Sequence, residues 1–282
     1  YNDRGVVDDS RAETNFVAYV ATGLWHYFLI TGQRDVLRKF WPMVNGAIEF
    51  VLSQQADSGE IYWAVDQHAG TSKDALVTGC SSIYKSLECA LSIGTELDEP
   101  RPAWRVARQQ LGNALRNHPE LFDRTWASKA RYSMDWFYPV LSGVITDEAA
   151  QTRLLNRWDT FVKKGFGCRC VADQPWVTVA ESCELVMACV AAGLPNHARQ
   201  VFEDIAQHQR ADGSWWTGYV FIEELYWPDE RPTWTAAAVL LAADALHDLT
   251  PGSKLFTSAA NTLEHPKSSA NLHGFEQARG QR

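Results

Sequence analysis

FVLSQQADSGEIYWA (residues 50–64) and FEDIAQHQRADGSWWTG (residues 202–218) repeat one order of features. In each stretch an amphipathic helix ends in Gln, a polar turn with Asp and Gly follows, and an aromatic pair comes next. The corresponding residues are Gln55, Gly59 and Trp63 in the first stretch and Gln209, Gly213 and Trp215 in the second. Repeated helix–turn units indicate stacked helix hairpins that bury one another's faces.

Helical periodicity extends from these two stretches through most of the chain. Apolar residues recur at steps of three and four residues, and sustained strand alternation is absent. The predicted helices are 13–32, 41–55, 78–94, 102–117, 133–141, 147–163, 177–193, 195–209 and 233–247. We expect Pro42 to lie just inside the start of the second of these helices and Pro139 to break the fifth.

The fold class that these elements predict is all-α, with helix hairpins closed into an α/α toroid. A complete six-hairpin ring needs twelve helices, so about nine predict a smaller ring or one that lacks an N-terminal part. We assign residues 1–250 to the toroid domain. Residues 251–282 are polar with little periodicity, and they predict a C-terminal tail that packs on the outside or is partly disordered.

Composition limits the function classes. The net charge of −8 over 282 residues disfavours a nucleic-acid partner, since no basic stripe is present to neutralise phosphates. No apolar run is long enough to span a bilayer. The spacing of the six cysteines suits neither a zinc site nor a disulfide framework, which predicts reduced thiols and a cytoplasmic protein. No cluster of metal ligands is evident, and we expect no metal and no cofactor.

Four acidic clusters could carry chemistry. They contain Asp9 and Glu13 in residues 6–15, Asp135 in an aromatic stretch, Glu181 and Glu184 three residues apart on one helix face, and Glu223 and Glu224 in FIEELYWPDERPTWTAAA, residues 221–238. Each has a structural alternative. The first could be a helix cap, the second an ion pair with Arg131 or Lys129, the third a solvated stripe and the fourth a solvated loop.

The segment GSWWTGYVFIEELYWPDERPTWTAAAVLLAADAL, residues 213–246, resembles the last hairpin of glucoamylase-type glycosidases, in which a Glu-containing loop precedes a Thr-Trp-Ser/Thr helix start. DDSRAETNFVAYVATGLWHYFLITG, residues 8–32, is loosely similar to the acidic segment of that family. FWPMVNGAIEFVLSQQADSGEIYWA, residues 40–64, looks like a hairpin of six-hairpin glycosidases. The resemblance places Glu223 as catalytic base and Glu13 or Asp9 as general acid. The first segment lacks the Trp-Glu-Glu signature of the family.

A second resemblance competes with the first. Gln-x-x-Asp-Gly-Ser-Trp, from Gln209 to Trp215, is similar to the repeat of terpenoid cyclases and protein prenyltransferases, which are also α/α toroids. VVDDS, residues 6–10, lacks the first Asp of the Asp-x-Asp-Asp motif of the cyclases because Val6 stands there.

The prediction from the sequence is a glycoside hydrolase that acts on a small or oligosaccharide substrate with paired carboxylates at the loop end of the toroid. The alternatives are a cyclase or prenyltransferase-like enzyme and a non-catalytic helical-repeat binding protein. The expected substrate-binding residues are Glu224, Asp135, Trp136, Trp176, Glu181, Trp216, Tyr226 and Trp227.

Overall fold

The computed structural model describes residues 9–257 of the chain. The α-helices are α1 Thr14–Thr31, α2 Arg34–Leu52, α3 Val77–Glu96, α4 Pro102–Asn117, α5 Ser133–Leu141, α6 Asp147–Asn156, α7 Trp158–Phe161, α8 Val179–Ala191, α9 Pro195–Ile205 and α10 Thr233–His247. The strands are β1 Arg11–Glu13, β2 Ala64–Asp66, β3 Gly70–Ser72, β4 Val162–Lys163, β5 Gly167–Arg169, β6 Trp176–Thr178, β7 Gly218–Val220 and β8 Leu225–Tyr226. Short 3-10 helices cover Pro119–Leu121, Lys129–Arg131, Ala206–His208 and Pro251–Lys254.

Helices α1, α3, α5, α8 and α10 form the inner wall of an α/α toroid. Each contacts the next one in this order, and α2, α4, α6 and α9 pack on the outside as the second helices of their hairpins. The segment Pro251–Lys254 contacts both α10 and α1. The described residues thus supply five inner helices of a fold whose complete form has six, and the predicted fold class is confirmed.

The outer helices are amphipathic because only one of their faces is buried. In α2 the buried residues recur at steps of three and four, which is the apolar stripe of a surface helix. These residues are Leu37, Trp41, Val44, Ile48 and Val51. Inner helices are buried on more than one side, and most residues of α3 between Cys80 and Gly94 are buried. Small side chains allow this close packing, as where Thr22 of α1 hydrogen-bonds to Ser86 of α3 at 3.0 Å.

Two antiparallel sheets lie at the end of the toroid where the inner helices begin, which we call the mouth. The first sheet has the order β1-β2-β3, and its strands lead into α1 and α3. The second has the order β4-β5-β6-β7-β8, and its strands lead into α8 and α10. No strand in residues 9–257 exceeds three residues, which explains why period-two alternation in the sequence did not reveal the sheets.

The repeated turns coincide hydrogen bond for hydrogen bond, but with a different alignment from the one that the sequence suggested. The Gln55 side chain donates to the Gly59 carbonyl, and the Gln209 side chain donates to the Gly213 carbonyl. The residues that pair with the two glutamines are Ile61 and Trp215. Trp215 therefore corresponds to Ile61 and not to Trp63. Both glycines have positive φ, and a Cβ on Gly59 would lie 2.7 Å from a backbone oxygen of α4.

Two prolines are tolerated inside helices where the sequence predicted a start and a break. Helix α2 begins at Arg34 and passes through Pro42, whose missing amide removes a helical hydrogen bond to the carbonyl of Arg38, an exposed residue. Helix α5 continues past Pro139 to Leu141. The carbonyl of Asp135, which Pro139 cannot bond, instead accepts a hydrogen bond from the Arg153 guanidinium at 2.9 Å.

The predicted outer tail is wrong for its first residues. Leu255 is buried in the core, and Phe256 packs against the apolar clusters of both halves of the toroid. Residues 258–282 lie outside the described residues. Within residues 9–257 no helix has the length and hydropathy needed to cross a membrane.

Asp74, a fully buried carboxylate, connects the segment before α3 to the loop after α4 through hydrogen bonds. It accepts hydrogen bonds from the amides of Ala75, Arg124 and Thr125 and from the Thr125 hydroxyl, at 2.6–3.0 Å. Burial alone would raise the pKa of Asp74, but these hydrogen bonds outweigh it and the pKa is lowered.

We predict that Asp74→Asn lowers the free energy of unfolding at pH 7 by about 2–3 kcal/mol, since hydrogen bonds to a charged group are lost. The stabilisation is present above the unfolded pKa of Asp, ~3.9, and is lost as pH falls through the lower folded value. Urea unfolding at pH 7 and pH 3 measures both effects. Asp57→Asn, at an exposed position of the first repeated turn, is the control. A wild-type protein and an Asp74 variant of equal stability at pH 7 would contradict the prediction.

Candidate active site

A cavity of about 220 Å³ lies in the lumen of the toroid, and all five inner helices contribute to it. We call it the lumen cavity. Its lining residues are Tyr19, Ser82, Lys85, Tyr138, Leu141, Ser142, Glu184, Met187, Ala238, Leu241 and Phe256. A larger crevice of about 730 Å³ lies between α5 and α6, but it receives no residue from the other inner helices. The lumen cavity is the place where the fold brings distant parts of the chain together.

Glu184 of α8 is the carboxylate of the lumen cavity. Its Oε1 accepts a hydrogen bond of 2.6 Å from the hydroxyl of Tyr138 on α5. Burial raises the pKa of Glu184 to about 8, and this outweighs the Tyr138 hydrogen bond, which favours the ionised form. The carboxyl group is therefore largely protonated at neutral pH.

A hydrogen-bonded chain extends from Glu184 across the lumen. The Tyr138 hydroxyl also bonds to that of Tyr19 on α1, and Tyr19 in turn bonds to Ser82 on α3. Burial, followed by the negative charge of Glu184, raises the pKa of both tyrosines. Both hydroxyls therefore keep their protons at physiological pH and can donate them.

Lys85 places a positive charge at the same wall. It is almost completely buried, and its Nζ lies 2.8 Å from Oε1 of Glu88. The other oxygen of Glu88 accepts a hydrogen bond from Arg108. The Glu88 carboxylate thus forms ion pairs with both Lys85 and Arg108. The ammonium group of Lys85 has further N–H donors for an acceptor in the cavity.

Glu181 lies in the first turn of α8, one turn nearer the mouth than Glu184. Its carboxylate hydrogen-bonds to the Cys170 thiol, and its charge contributes to the raised pKa of Glu184. The sequence prediction that Glu181 and Glu184 share one helix face agrees with this electrostatic contact. Trp234 lies in the first turn of α10, one turn before Ala238 of the cavity, and is 54% exposed.

Comparison with known proteins gives one close curated relative. The chain is 49% identical over 252 residues to the MMP endo-(1,4)-3-O-methyl-alpha-D-mannosidase of Mycolicibacterium hassiacum, covering 89% of this chain and 69% of that protein. The chain belongs to the family of this mannosidase. It is a carbohydrate-active enzyme with an α/α toroid fold. No protein-family model matches the chain.

Solved structures of similar fold are more distant from this member of the mannosidase family. The cellobiose 2-epimerase of Bacillus thermoamylovorans B4167 superposes with a TM-score of 0.63 at 12% identity, over 90% of this chain and 76% of its own. A sugar epimerase from a ruminal bacterium gives 0.60 at 9% identity, over 89% and 76%. A D-mannose isomerase gives 0.59 at 10% identity, over 86% and 73%. At these identities the likeness supports the toroid fold alone.

Asp9, one of the two residues that the resemblance suggested as general acid, is unsuited to that role. The guanidinium of Arg11 donates hydrogen bonds to both of its oxygens at the exposed surface. These bonds lower the pKa of Asp9 to about 2, so it carries no proton to donate near neutral pH. Glu13 ends β1 directly before α1 and is partly buried. Its role remains a prediction.

Glu223 and Glu224 lie in the exposed turn between β7 and β8, and neither lines the lumen cavity. Glu224 has a φ of +55°, and within residues 9–257 no hydrogen bond or ion pair is formed by the Glu223 carboxylate. The catalytic role of Glu223 remains a prediction without support from the geometry.

Trp136 and Asp135 do not reach the lumen, contrary to their predicted role in substrate binding. Trp136 is 1% exposed, stacks on Phe161, and donates its indole N–H to the carbonyl of Arg153. Asp135 lines the crevice between α5 and α6, close to Arg153 and Arg157. Burial, followed by the charge of Asp123, raises its pKa to about 6.

The other predicted aromatic residues form contacts near the mouth. Trp216 stacks on Tyr226 at 4.8 Å between ring centroids, and Trp176 meets the edge of Trp227. The indole of Trp176 also donates to the Trp227 carbonyl at 2.9 Å. These pairings give the four rings a structural role in the second sheet, and none of them lines the lumen cavity.

Sequence reasoning missed Tyr19, Tyr138 and Lys85. The signal for Lys85 was a single cation in the small and apolar stretch CSSIYKSLECALSIG, residues 80–94. The tyrosines gave no comparable signal, because Tyr belongs equally well in an apolar core. Among residues 9–257 no group of three His, Cys, Asp or Glu side chains is placed to hold a metal ion.

We predict that Glu184 makes the stability of the fold depend on pH. Because its folded pKa of about 8 exceeds the ~4.3 of an unfolded glutamate, the contribution of the protonated Glu184 to stability is complete below the unfolded pKa and is lost as pH rises through 8. Glu184→Gln removes this dependence, since the amide does not titrate. Urea unfolding of wild type and variant at pH 5 and pH 8.5 measures it. Equal pH slopes in the two proteins would contradict the assignment.

Proposed function

We propose that the protein is an endo-acting hydrolase of α-(1,4)-linked 3-O-methyl-mannose chains. The observation that carries the proposal is the carboxyl group of Glu184 in the lumen cavity, one helical turn from the charged Glu181, in a chain 49% identical to an enzyme named for this activity. The lumen cavity is smaller than the ~300–1,000 Å³ typical of sites for drug-sized ligands. It therefore accommodates one sugar unit, while the rest of the substrate lies towards the mouth.

The proposed chemistry assigns different roles to the two carboxyl groups. Glycoside hydrolysis needs a protonated acid that donates its proton to the leaving oxygen. It also needs an ionised carboxylate that attacks the sugar or activates a water molecule. Glu184 supplies the acid: Tyr138 occupies its Oε1, which leaves Oε2 to carry the proton into the cavity. Glu181 supplies the ionised carboxylate from the more open first turn of α8.

The surrounding residues orient the substrate in this scheme. Tyr19 and Ser82 hold the Tyr138 hydroxyl in position from the far side of the lumen. Lys85, fixed by Glu88, donates to a sugar oxygen. The exposed ring of Trp234 provides an apolar face for the next sugar at the mouth.

We expect Glu181→Gln and Glu184→Gln each to lower kcat on a methylated mannose oligosaccharide by about 10²–10⁴-fold, the usual contribution of an acid or base. Mass spectrometry of the products follows cleavage and distinguishes it from isomerisation of an intact chain. Glu203→Gln, on the exposed face of α9, is the control and should keep wild-type activity, whereas Glu223→Gln, in the β7–β8 turn, tests the base that the resemblance suggested. If Glu223→Gln lost activity and Glu184→Gln retained it, Glu223 and not Glu184 would be the catalytic carboxyl group.

A cytoplasmic location is part of the same proposal. All six cysteines are free thiols, and five of them are buried. Burial raises the pKa of Cys80 and Cys89 to about 12, which keeps them in the unreactive thiol form.

We expect thiol titration of the unfolded protein, purified without reductant, to count six thiols per chain, as in a reducing compartment. The same titration after reduction is the control. A count that rises on reduction would reveal disulfides and argue against a cytoplasmic location.

A further inference from the structure

We propose that the apolar wall of the lumen cavity binds the O-methyl group of the sugar, and that Leu241 of α10 determines the preference for methylated over unmethylated substrate. This inference rests on the proposed function and adds to it the residues that recognise the methyl group.

The two sides of the lumen cavity differ in chemistry. The polar groups come from α1, α3, α5 and α8, where Tyr19, Lys85 and Glu184 carry hydroxyl, ammonium and carboxyl groups. Helix α10 contributes Ala238 and Leu241 without any polar side chain. Further apolar lining comes from Leu141, Met187 and Phe256. A sugar bound here has one edge against hydrogen-bonding groups and another against hydrocarbon.

A free hydroxyl is disfavoured at the apolar wall because its proton finds no acceptor there after leaving water. An O-methyl group has no such proton, and its carbon gains from burial. Pockets distinguish ligands that differ by one methylene group by about 10–200-fold, which sets the expected size of the effect. The polar side of the cavity holds the free hydroxyls and so fixes which edge of the ring faces α10.

Leu241 is the best residue for testing this wall. Leu141 and Met187 are each 4% exposed and belong to the core, so changing them would disturb packing. Leu241 is only partly buried, and it lies on a helix that contributes no hydrogen-bonding group to the cavity. Its neighbour Leu240 is 71% exposed and gives a matched control on the same helix.

The experiment compares kcat/KM for two synthetic tetrasaccharides, α-(1,4)-linked 3-O-methyl-mannose and α-(1,4)-linked mannose. We expect wild type to prefer the methylated substrate by about 10-fold or more. Leu241→Gln should lower this ratio about 5-fold or more, because the amide offers a partner to a hydroxyl and none to a methyl group. Leu241→Met and Leu240→Gln should keep the ratio. Ala238→Ser places a hydroxyl on the same wall with little change in volume, and it tests the idea if Leu241→Gln fails to fold.

The outcomes separate the two proposals. A wild-type protein that cleaves both tetrasaccharides equally well overturns the methyl-binding wall and leaves the hydrolase function intact. A wild-type ratio that persists in Leu241→Gln and Ala238→Ser also overturns the wall. Cleavage of neither substrate overturns the proposed function and this inference with it.

Discussion

Side-by-side packing of the inner helices is the constraint on which the rest of the structure depends. The three middle helices of this wall, α3, α5 and α8, each touch two inner neighbours and an outer helix, so they have little surface left for water. Small residues and internal hydrogen bonds, such as Thr22 to Ser86, make that packing possible. A buried polar group on the lumen side needs a hydrogen-bond partner, either on its own helix or on another inner helix. Lys85 finds Glu88 on its own helix, whereas Glu184 of α8 pairs with Tyr138 of the neighbouring α5, which in turn bonds to Tyr19 of α1.

The sequence predicted the helices well where one face alone is buried or a boundary carries a clear signal. Helices α4 and α10 begin and end at the predicted residues, since Pro102 and the Thr-Trp-Thr start mark them. The second helix was misplaced because Pro42 was interpreted as a first-turn residue. Arg38, whose carbonyl loses its helical partner at Pro42, is exposed, a fact that only the three-dimensional structure shows. The strands were missed because two or three residues are too few to show the alternation of apolar and polar residues that is typical of a strand.

For the proposed site, the sequence placed Glu181 and Glu184 on one helix face but named only Glu181 as a substrate-binding residue. Their spacing placed them on one helix face, whereas the family resemblance directed attention to Glu223 and Glu13 near the ends of the described chain. Which face of a helix borders a lumen depends on how five hairpins pack together, and the pattern of one helix does not contain that information. Trp136 shows the same limit, because its ring fills the core. The partners of Glu184 come from α5 and α1, far away along the chain.

The common direction of the inner helices has an electrostatic consequence. Each of them begins at the mouth, where the unpaired amides of its first turn carry a partial positive charge of about half a unit. Five such ends surround the space in which a sugar would be cleaved. The transition state of glycoside hydrolysis is itself a positively charged sugar. The helix ends therefore oppose the proposed reaction, and in that proposal the negative charge of Glu181, in the first turn of α8, offsets the field of the helix ends.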